Sequence, residues 1–464
     1  MNYFEDTICA IATAQGGAIG IVRVSGPQAV TATQQIFRPS HRGRQLSDAK
    51  PYTLTFGCIM DGEEVVDEVL VSLFRAPHSY TGEDSTEIAC HGSAYVLQRV
   101  VMLLLQQGCR LAGPGEFTQR AYFNGKMDLC QAEAVADLIA STSEASHKLA
   151  INQMRGGLSR ELQHLRDRLL HFTSLIELEL DFSDHEDIEF ADRTELFAMA
   201  DHIEQIICRL VNSFKVGNAI KNGVPVVIIG DTNVGKSTLL NALIEEERAI
   251  VSDISGTTRD VIEDTFQTGG VLFRFIDTAG IRRTDDTIEN LGIERTFQKT
   301  AQAQIILWML DATKAEEQIS RLSPDILPHC GGEKQLILVY NKADLLPEFA
   351  PHVPPGFPQG TQSIAISARS GTHIEELRQL LVRTANLPSV SCTDVIVTNM
   401  HHYESLTRAL DSIHHVQDGL HRHISGDFLA QDIRECIHHL GSIVGEVSEE
   451  DVLQNIFKHF CIGK

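Results

Sequence analysis

Residues 230–237 read GDTNVGKS, with the apolar run VPVVII leading in and TLLNALI following. No other stretch limits the possible folds as sharply. An apolar run, a loop with two glycines and a Lys-Ser pair opening a helix form a strand–loop–helix unit. The glycines let backbone N–H groups converge on an anion at the helix N-terminus. Lys236 is then expected to reach the β- and γ-phosphates of a nucleotide, and Ser237 to hold magnesium. Such a loop needs an α/β sheet behind it. The runs LFRFID, QIILWMLD, KQLILVYN and QSIAIS supply the further strands, with helical stretches between them. This alternation predicts a doubly wound sheet.

Later motifs specify the base. Asn341-Lys342-Ala343-Asp344 follows the run LILVY, where Asp344 is placed to pair with guanine's exocyclic amine and ring N–H. Ser367-Ala368-Arg369 matches the short loop that closes over the base. Asp277-Thr278-Ala279-Gly280 and the Thr257-Thr258 pair complete five motifs in GTPase order. Thr258 is the expected second magnesium ligand, and the Gly280 amide the sensor of the γ-phosphate. The expected nucleotide contacts therefore run through Asn233, Val234, Gly235, Lys236, Ser237 and Thr238, through Ser252, Asp253, Ile254, Ser255, Gly256, Thr257 and Thr258, and through the later motifs. One position breaks the pattern. A Ras-type GTPase carries Gln after DTAG to orient the attacking water, whereas here the residue is Ile281.

Around this core the periodicity changes. Residues 1–118 mix β-rich runs (GIVRVSG, EEVVDEVLVSLF) with the helical AYVLQRVVMLLLQQG, and close on GPGEF. From about residue 127 to 216 the apolar spacing is helical, with LSRELQHLRDRLLHFTSLIELEL as a long amphipathic helix. Helical spacing returns after residue 386. These shifts predict an N-terminal α/β domain at 1–119, a helical domain in two halves at 120–221 and 387–464, and an inserted nucleotide domain at 222–386.

Composition narrows the classes. A chain of 464 residues exceeds one core. A net charge of −23 argues against a large self-sufficient nucleic-acid surface. The acidic start MNYFEDTICAIATA predicts no secretion signal, and the longest apolar runs are far short of a membrane span. Ten cysteines without a CxxC pair predict a reduced, cytoplasmic chain in which most are small buried hydrophobes. Adjacent histidines on a helix point about 100° apart. The pairs His401-His402, His414-His415 and His438-His439, with His421 and His423, are therefore read as a solvated helix face and not a metal site.

The stretches GDTNVGKST, VSDISGTTRD, DTAGIRR, RVSGP, TGEDSTEIACHG and GPGEFTQRAYFNGKMDLCQAEAVADLI, with the terminal Cys461-Ile462-Gly463-Lys464, resemble the MnmE (TrmE) family of tRNA-modification GTPases over essentially the whole chain. The resemblance implies two devices in place of the missing glutamine. One is a potassium ion beside the phosphates, held by Asn233 and by switch oxygens of Ser252, Ile254 and Thr257. The other is Glu289, which matches the family's water-orienting acid; Asp285, Asp286 and Glu294 stand nearby. Arg259 and Arg282 are candidates for charge stabilisation across paired G domains. On this reading the catalytic set is Glu289, Lys236 and Asn233.

The resemblance further implies a 5-formyltetrahydrofolate or related folate, bound by Arg23, Glu87, Lys126 and Lys464, with Cys461 a possible functional thiol. A carboxylate suits the pterin's N–H edge, and Arg or Lys suits carboxylates and a formyl oxygen. It implies a homodimer that works with an FAD-binding MnmG (GidA)-type partner in a heterotetramer. That assembly would add a carboxymethylaminomethyl-type group at C5 of a wobble uridine, with tRNA held mainly by the partner and no membrane involved. The rival reading is an Era- or Der-like ribosome-assembly GTPase. Such proteins carry a GXXG loop or a basic tail, where this tail is acidic and His-rich.

Overall fold

The computed structural model describes residues 5–14, 16–41, 43, 45–181, 193–244, 265–276, 300, 302–331, 334–388, 391, 394–446, 460 and 463. The chain divides into two compact units. One comprises Met1–Ala140, Ala150–Cys208 and Glu404–Lys464; the other comprises Ser141–Leu149 and Arg209–Tyr403.

The first unit is built on strands β1 (Ile8–Ile11), β2 (Ile19–Ser25), β3 (Phe37–Pro39), β4 (Leu54–Asp61), β5 (Glu64–Phe74), β6 (Ser85–His91) and β7 (Arg110–Leu111). They form one sheet in the order β3-β4-β5-β6-β2-β1-β7, antiparallel except at β1–β7. Side chains alternate across a strand, so each strand sends every second residue to the same face. Val22, Val24, Ile59, Val69, Val71 and Ile88 lie on the covered face with helices α1 (Ala29–Ile36) and α2 (Ala94–Gln106). The opposite face carries Ile19, Leu54, Phe56 and Leu70, all exposed, with Phe56 directly across from Leu70. Helices α3 (Glu116–Phe123), α4 (Leu129–Ala140), α5 (Glu144–Met154) and α6 (Gly157–Asp181) follow in the chain.

Helix α7 (Arg193–Asn222) leads into the second sheet, formed by β8 (Val224–Gly230), β9 (Thr265–Thr268), β10 (Val271–Phe275), β11 (Ile305–Asp311), β12 (Gln335–Asn341) and β13 (Gln362–Ala365). Its order is β13-β12-β11-β8-β10-β9. Every neighbouring pair is parallel except β9–β10, a hairpin closed by Gly269 and Gly270 at φ 56° and 78°. A two-residue turn with positive φ at both centres matches the strand twist and strongly favours Gly-Gly.

The parallel strands are buried on both faces, which explains why they read as unbroken apolar runs. In β11, Ile305, Leu307 and Met309 pack with α8 (Lys236–Ile244) and α10 (Ile374–Ala385). The alternate residues Ile306, Trp308 and Leu310 pack with α9 (Ala315–Ile326) on the other side. The fold class is thus the expected one: an N-terminal mixed α/β sheet, helical segments and a P-loop α/β domain.

Helices α11 (Met400–His421) and α12 (Gly426–Val444) complete the described elements. Most of the singled-out histidines are exposed, but His402 is buried. This corrects the solvated-face reading. His402 occupies the first place of the stripe Leu406, Ala409, Ile413, Val416 and Leu420, at alternating four- and three-residue steps. Burial, then the charges of His401 and Lys221, hold its pKa well below the ordinary histidine range. All eight described cysteines are free and six are buried, as expected of small core residues. No helix among the described residues is long and apolar enough to cross a membrane.

Within the second unit the segment 396–399 runs against α7. Val397 N–H donates to Ser213 Oγ at 3.0 Å, and a Cβ added to Gly217 would lie 2.1 Å from the Val397 carbonyl oxygen. Backbone cannot yield as a side-chain tip does. Gly217→Ala is therefore expected to cost about 1–3 kcal/mol, as overpacked sites do, read as a lowered thermal midpoint. Gly331→Ala, with open space around it, should leave the midpoint unchanged.

Candidate nucleotide and N-terminal sites

The loop after β8 is shaped by its two glycines. Gly230 takes φ 147° and Gly235 φ 100°. A Cβ would lie 2.4 Å from the Met309 carbonyl at the first and 2.3 Å from Asn341 Nδ2 at the second. Asn233 stands between them at φ 60°, a left-handed conformation that asparagine tolerates better than most residues. Lys236 opens α8 and folds back, its Nζ donating to the carbonyls of Gly230 at 2.9 Å and Asp231 at 2.7 Å. The ammonium thus sits inside the loop that is to receive phosphate. Burial lowers its pKa, with the Asp231 charge opposing. Ser237 and Thr238 follow in the first turn of the helix, where backbone N–H groups have no intrahelical partner.

Asn341 joins this loop to the base-binding motifs. It ends β12 and is buried, with Nδ2 donating to the Val234 carbonyl at 2.7 Å. Its Oδ1 accepts from the Ala368 N–H at 2.9 Å. One carboxamide therefore spans the phosphate loop and the Ser367-Ala368-Arg369 loop. Ser367 and Ala368 are buried while Arg369 is exposed. Asp344 lies in the short 3₁₀ turn Ala343–Leu345 with its side chain exposed.

Lys342, at φ 63°, directs its Nζ to Asp311 Oδ2 at 2.6 Å. Asp311 was not singled out from sequence. It closes β11 directly opposite Asn341, and its Oδ1 accepts from Thr313 N and Oγ1. Burial alone would raise its pKa, but the bonds from Lys342 and Thr313 prevail and hold it below the usual aspartate range. The signal available beforehand was an acid ending an otherwise apolar strand, LWMLD.

The structure therefore brings Asn233, Val234, Gly235, Lys236, Ser237, Thr238, Asn341, Lys342, Asp344, Ser367, Ala368 and Arg369 to one end of one sheet. Ser252, Asp253, Ile254, Ser255, Gly256, Thr257, Thr258, Asp277, Thr278, Ala279, Gly280, Ile281 and Glu289 lie outside the described residues, as do Arg259 and Arg282.

A second constellation occupies the open face of the N-terminal sheet. Arg23 on β2 stands directly across from Glu87 on β6, and Arg23 Nε donates to Glu87 Oε1 at 2.9 Å. The guanidinium lies over the rings of Tyr80 and Phe117, at 5.4 and 5.6 Å from their centroids. Arg23 Nη1 also donates to the Gly463 carbonyl at 3.4 Å, so Gly463 reaches this face. Lys126 Nζ bonds the Pro77 carbonyl at 2.9 Å, on the loop that carries Tyr80. Cys461 and Lys464 lie outside the described residues.

Beneath this face is a charge network that sequence reasoning missed. The fully buried Arg120 bonds Asp6 Oδ1 at 2.6 Å, Glu116 Oε1 at 3.0 Å and Glu83 Oε1 at 3.2 Å. Its one visible trace was the Glu116–Arg120 spacing of four residues on a helix.

Comparison with known proteins covers both sites. A family model described as MnmE helical domain matches residues 129–461, and one described as GTP-binding protein TrmE N-terminus matches residues 7–126. A tRNA modification GTPase MnmE of Bacteroides thetaiotaomicron is 66% identical, over 99% of this chain and 100% of the relative. The proteins of that name from Bacteroides fragilis and Parabacteroides distasonis are 66% and 59% identical, each over 99% of this chain and 100% of the relative.

Truncating Asn341 to Ala would strip partners from two backbone groups, the Val234 carbonyl and the Ala368 N–H. Each such loss costs about 1–3 kcal/mol when buried. Asn341→Ala is accordingly expected to weaken GDP binding by at least about tenfold in a fluorescent-nucleotide titration, and to lower the thermal midpoint as well.

Proposed function

The chain belongs to the MnmE family of tRNA modification GTPases, and on that premise we propose that it is a potassium-activated GTPase serving wobble-uridine modification. In this reading residues 222–386 form the G domain, residues 120–221 and 387–464 the helical domain, and residues 1–119 a folate-binding and dimerisation domain. The observation that carries it is the Asn341 bridge between a loop shaped for phosphates and a loop placed for guanine.

Lys236 neutralises the β- and γ-phosphates, and Ser237 with Thr258 holds magnesium. Asn233, exposed on the loop at positive φ, offers a neutral amide oxygen. That donor suits a large, weakly hydrated monovalent cation; Ser252, Ile254 and Thr257 would complete the cage. A cation there supplies the charge stabilisation that an arginine finger gives elsewhere. Glu289 orients the nucleophilic water in place of the glutamine that Ile281 displaces.

On the N-terminal face, Glu87 and Arg23 offer an acceptor and a donor side by side, backed by aromatic rings, as a pterin with a carboxylate tail requires. Lys126 and Lys464 complete this folate site, with Cys461 near the one-carbon unit. The exposed apolar patch around Phe56 and Leu70 supports a homodimer paired through this sheet, since contiguous exposed apolar surface marks association sites. The net charge of −23 supports tRNA being held mainly by the FAD-binding MnmG-type partner of the heterotetramer. The setting is cytoplasmic.

Two measurements test this reading. GTP turnover in potassium should exceed that in sodium by about two orders of magnitude, the scale of one transition-state charge stabiliser, and Asn233→Ala should erase the difference. Equal rates in both salts refute the potassium assignment. Nucleoside analysis of tRNA from cells lacking the gene should show an unmodified wobble uridine; an unchanged nucleoside refutes the tRNA assignment.

A further inference from the structure

The phosphate loop of this chain contains a carboxylate. Asp231 directly follows Gly230, and its own carbonyl accepts from the Lys236 ammonium at 2.7 Å. An acid so close to the phosphate-binding ammonium opposes the loop's task, because a nucleoside triphosphate brings several negative charges of its own. Two contacts hold the side chain in place. Asp231 Oδ1 accepts from the Thr232 N–H at 2.9 Å, and Oδ2 is ion-paired with Arg321. Arg321 comes from α9, which is anchored on the sheet by Ala315, Ile319 and Ile326. The cation is thus delivered by a rigid element ninety positions along the chain.

We propose that Arg321 is a positioning residue for the nucleotide: it neutralises Asp231 and holds the carboxylate aside, so that an acidic loop still accepts phosphate. This inference rests on residues 230–237 being the phosphate cradle. The pair is too exposed to matter much for folding, at 56% and 30% of side-chain surface, and exposed pairs add little stability. Its effect belongs to binding, where the charge of the ligand multiplies the consequence of one uncompensated carboxylate. GTP, with one phosphate more than GDP, feels it more.

The test measures fluorescent GTP and GDP binding to the full chain with magnesium, at low and high salt, beside thermal unfolding. Arg321→Gln should weaken GTP binding about 3–10-fold at low salt, less for GDP and less in high salt. KM for GTP should rise with kcat little changed, and the thermal midpoint should stay put. In an Asp231→Asn background the same substitution should weaken binding clearly less, since only Arg321's own attraction for the phosphates is lost and no carboxylate is released. The proposal is overturned if Arg321→Gln leaves low-salt affinity unchanged, or weakens it equally with and without Asp231. A Lys236→Ala variant separates the two levels. Loss of binding there upholds the cradle whatever Arg321 does, whereas retained binding removes the cradle and this inference with it.

Discussion

A single buried carboxamide organises the nucleotide end of the second unit. Asn341 has one acceptor and two donor hydrogens, and the structure places backbone groups from two separate loops against them. Both loops leave the C-terminal ends of parallel strands, where open α/β sheets bind ligands. Nothing in a parallel ladder fixes how those loops lie relative to each other. A side chain must do it, and it must be buried so that water does not compete. The same position sets its neighbours: Asn341 is in register with Asp311, whose carboxylate holds Lys342. The described part of the site is therefore a consequence of strand register extended by three polar side chains.

The first unit solves a comparable problem with charge. Arg120, fully buried, gathers carboxylates from three places: the residues before β1, the loop before β6 and its own helix α3. Burying a guanidinium is costly, and breaking such a network by removing one partner leaves an uncompensated charge worth about 3–5 kcal/mol. Specificity of arrangement is what it provides here. With α3 pinned to the loop before β6, Phe117 and Tyr80 sit where Arg23 lies over both rings, and Tyr80 Oη reaches Thr118 Oγ1 at 2.8 Å. Glu83 pays part of the cost: burial raises its pKa, against the pull of Ser25 and Arg120.

Legibility in the sequence followed the physics of each element. The central parallel strands were visible because double-sided burial makes continuous apolar runs, and the phosphate loop because its glycines answer to backbone geometry alone. The edge strand β9, TFQT, was not singled out, being four residues long with only Phe266 buried. The strands that flank β2 and β5 mix polar and apolar residues on an open face, so their signal was weak. Arg23 and Glu87 stand out in the sequence only through the family resemblance, and the register of β2 against β6 sets them opposite. That register is a long-range fact, separated by 64 residues. His402 escapes a reading by pairs, because only this member of its pair falls in phase with the apolar stripe of α11.

The contact between Arg23 and Gly463 is the longest-range constraint described within the first unit. It joins residues 440 positions apart within the same unit, and Gly463 approaches so closely that a Cβ would lie 2.4 Å from the Ile11 carbonyl. At Gly463 a backbone carbonyl meets Arg23. Phe460 packs with Leu129 and Ala132, at the start of α4. An Arg23 guanidinium engaged by Glu87 and by a carbonyl has its N–H groups directed by these neighbours, so its orientation is set by the register of β2 on β6 and by the approach of Gly463.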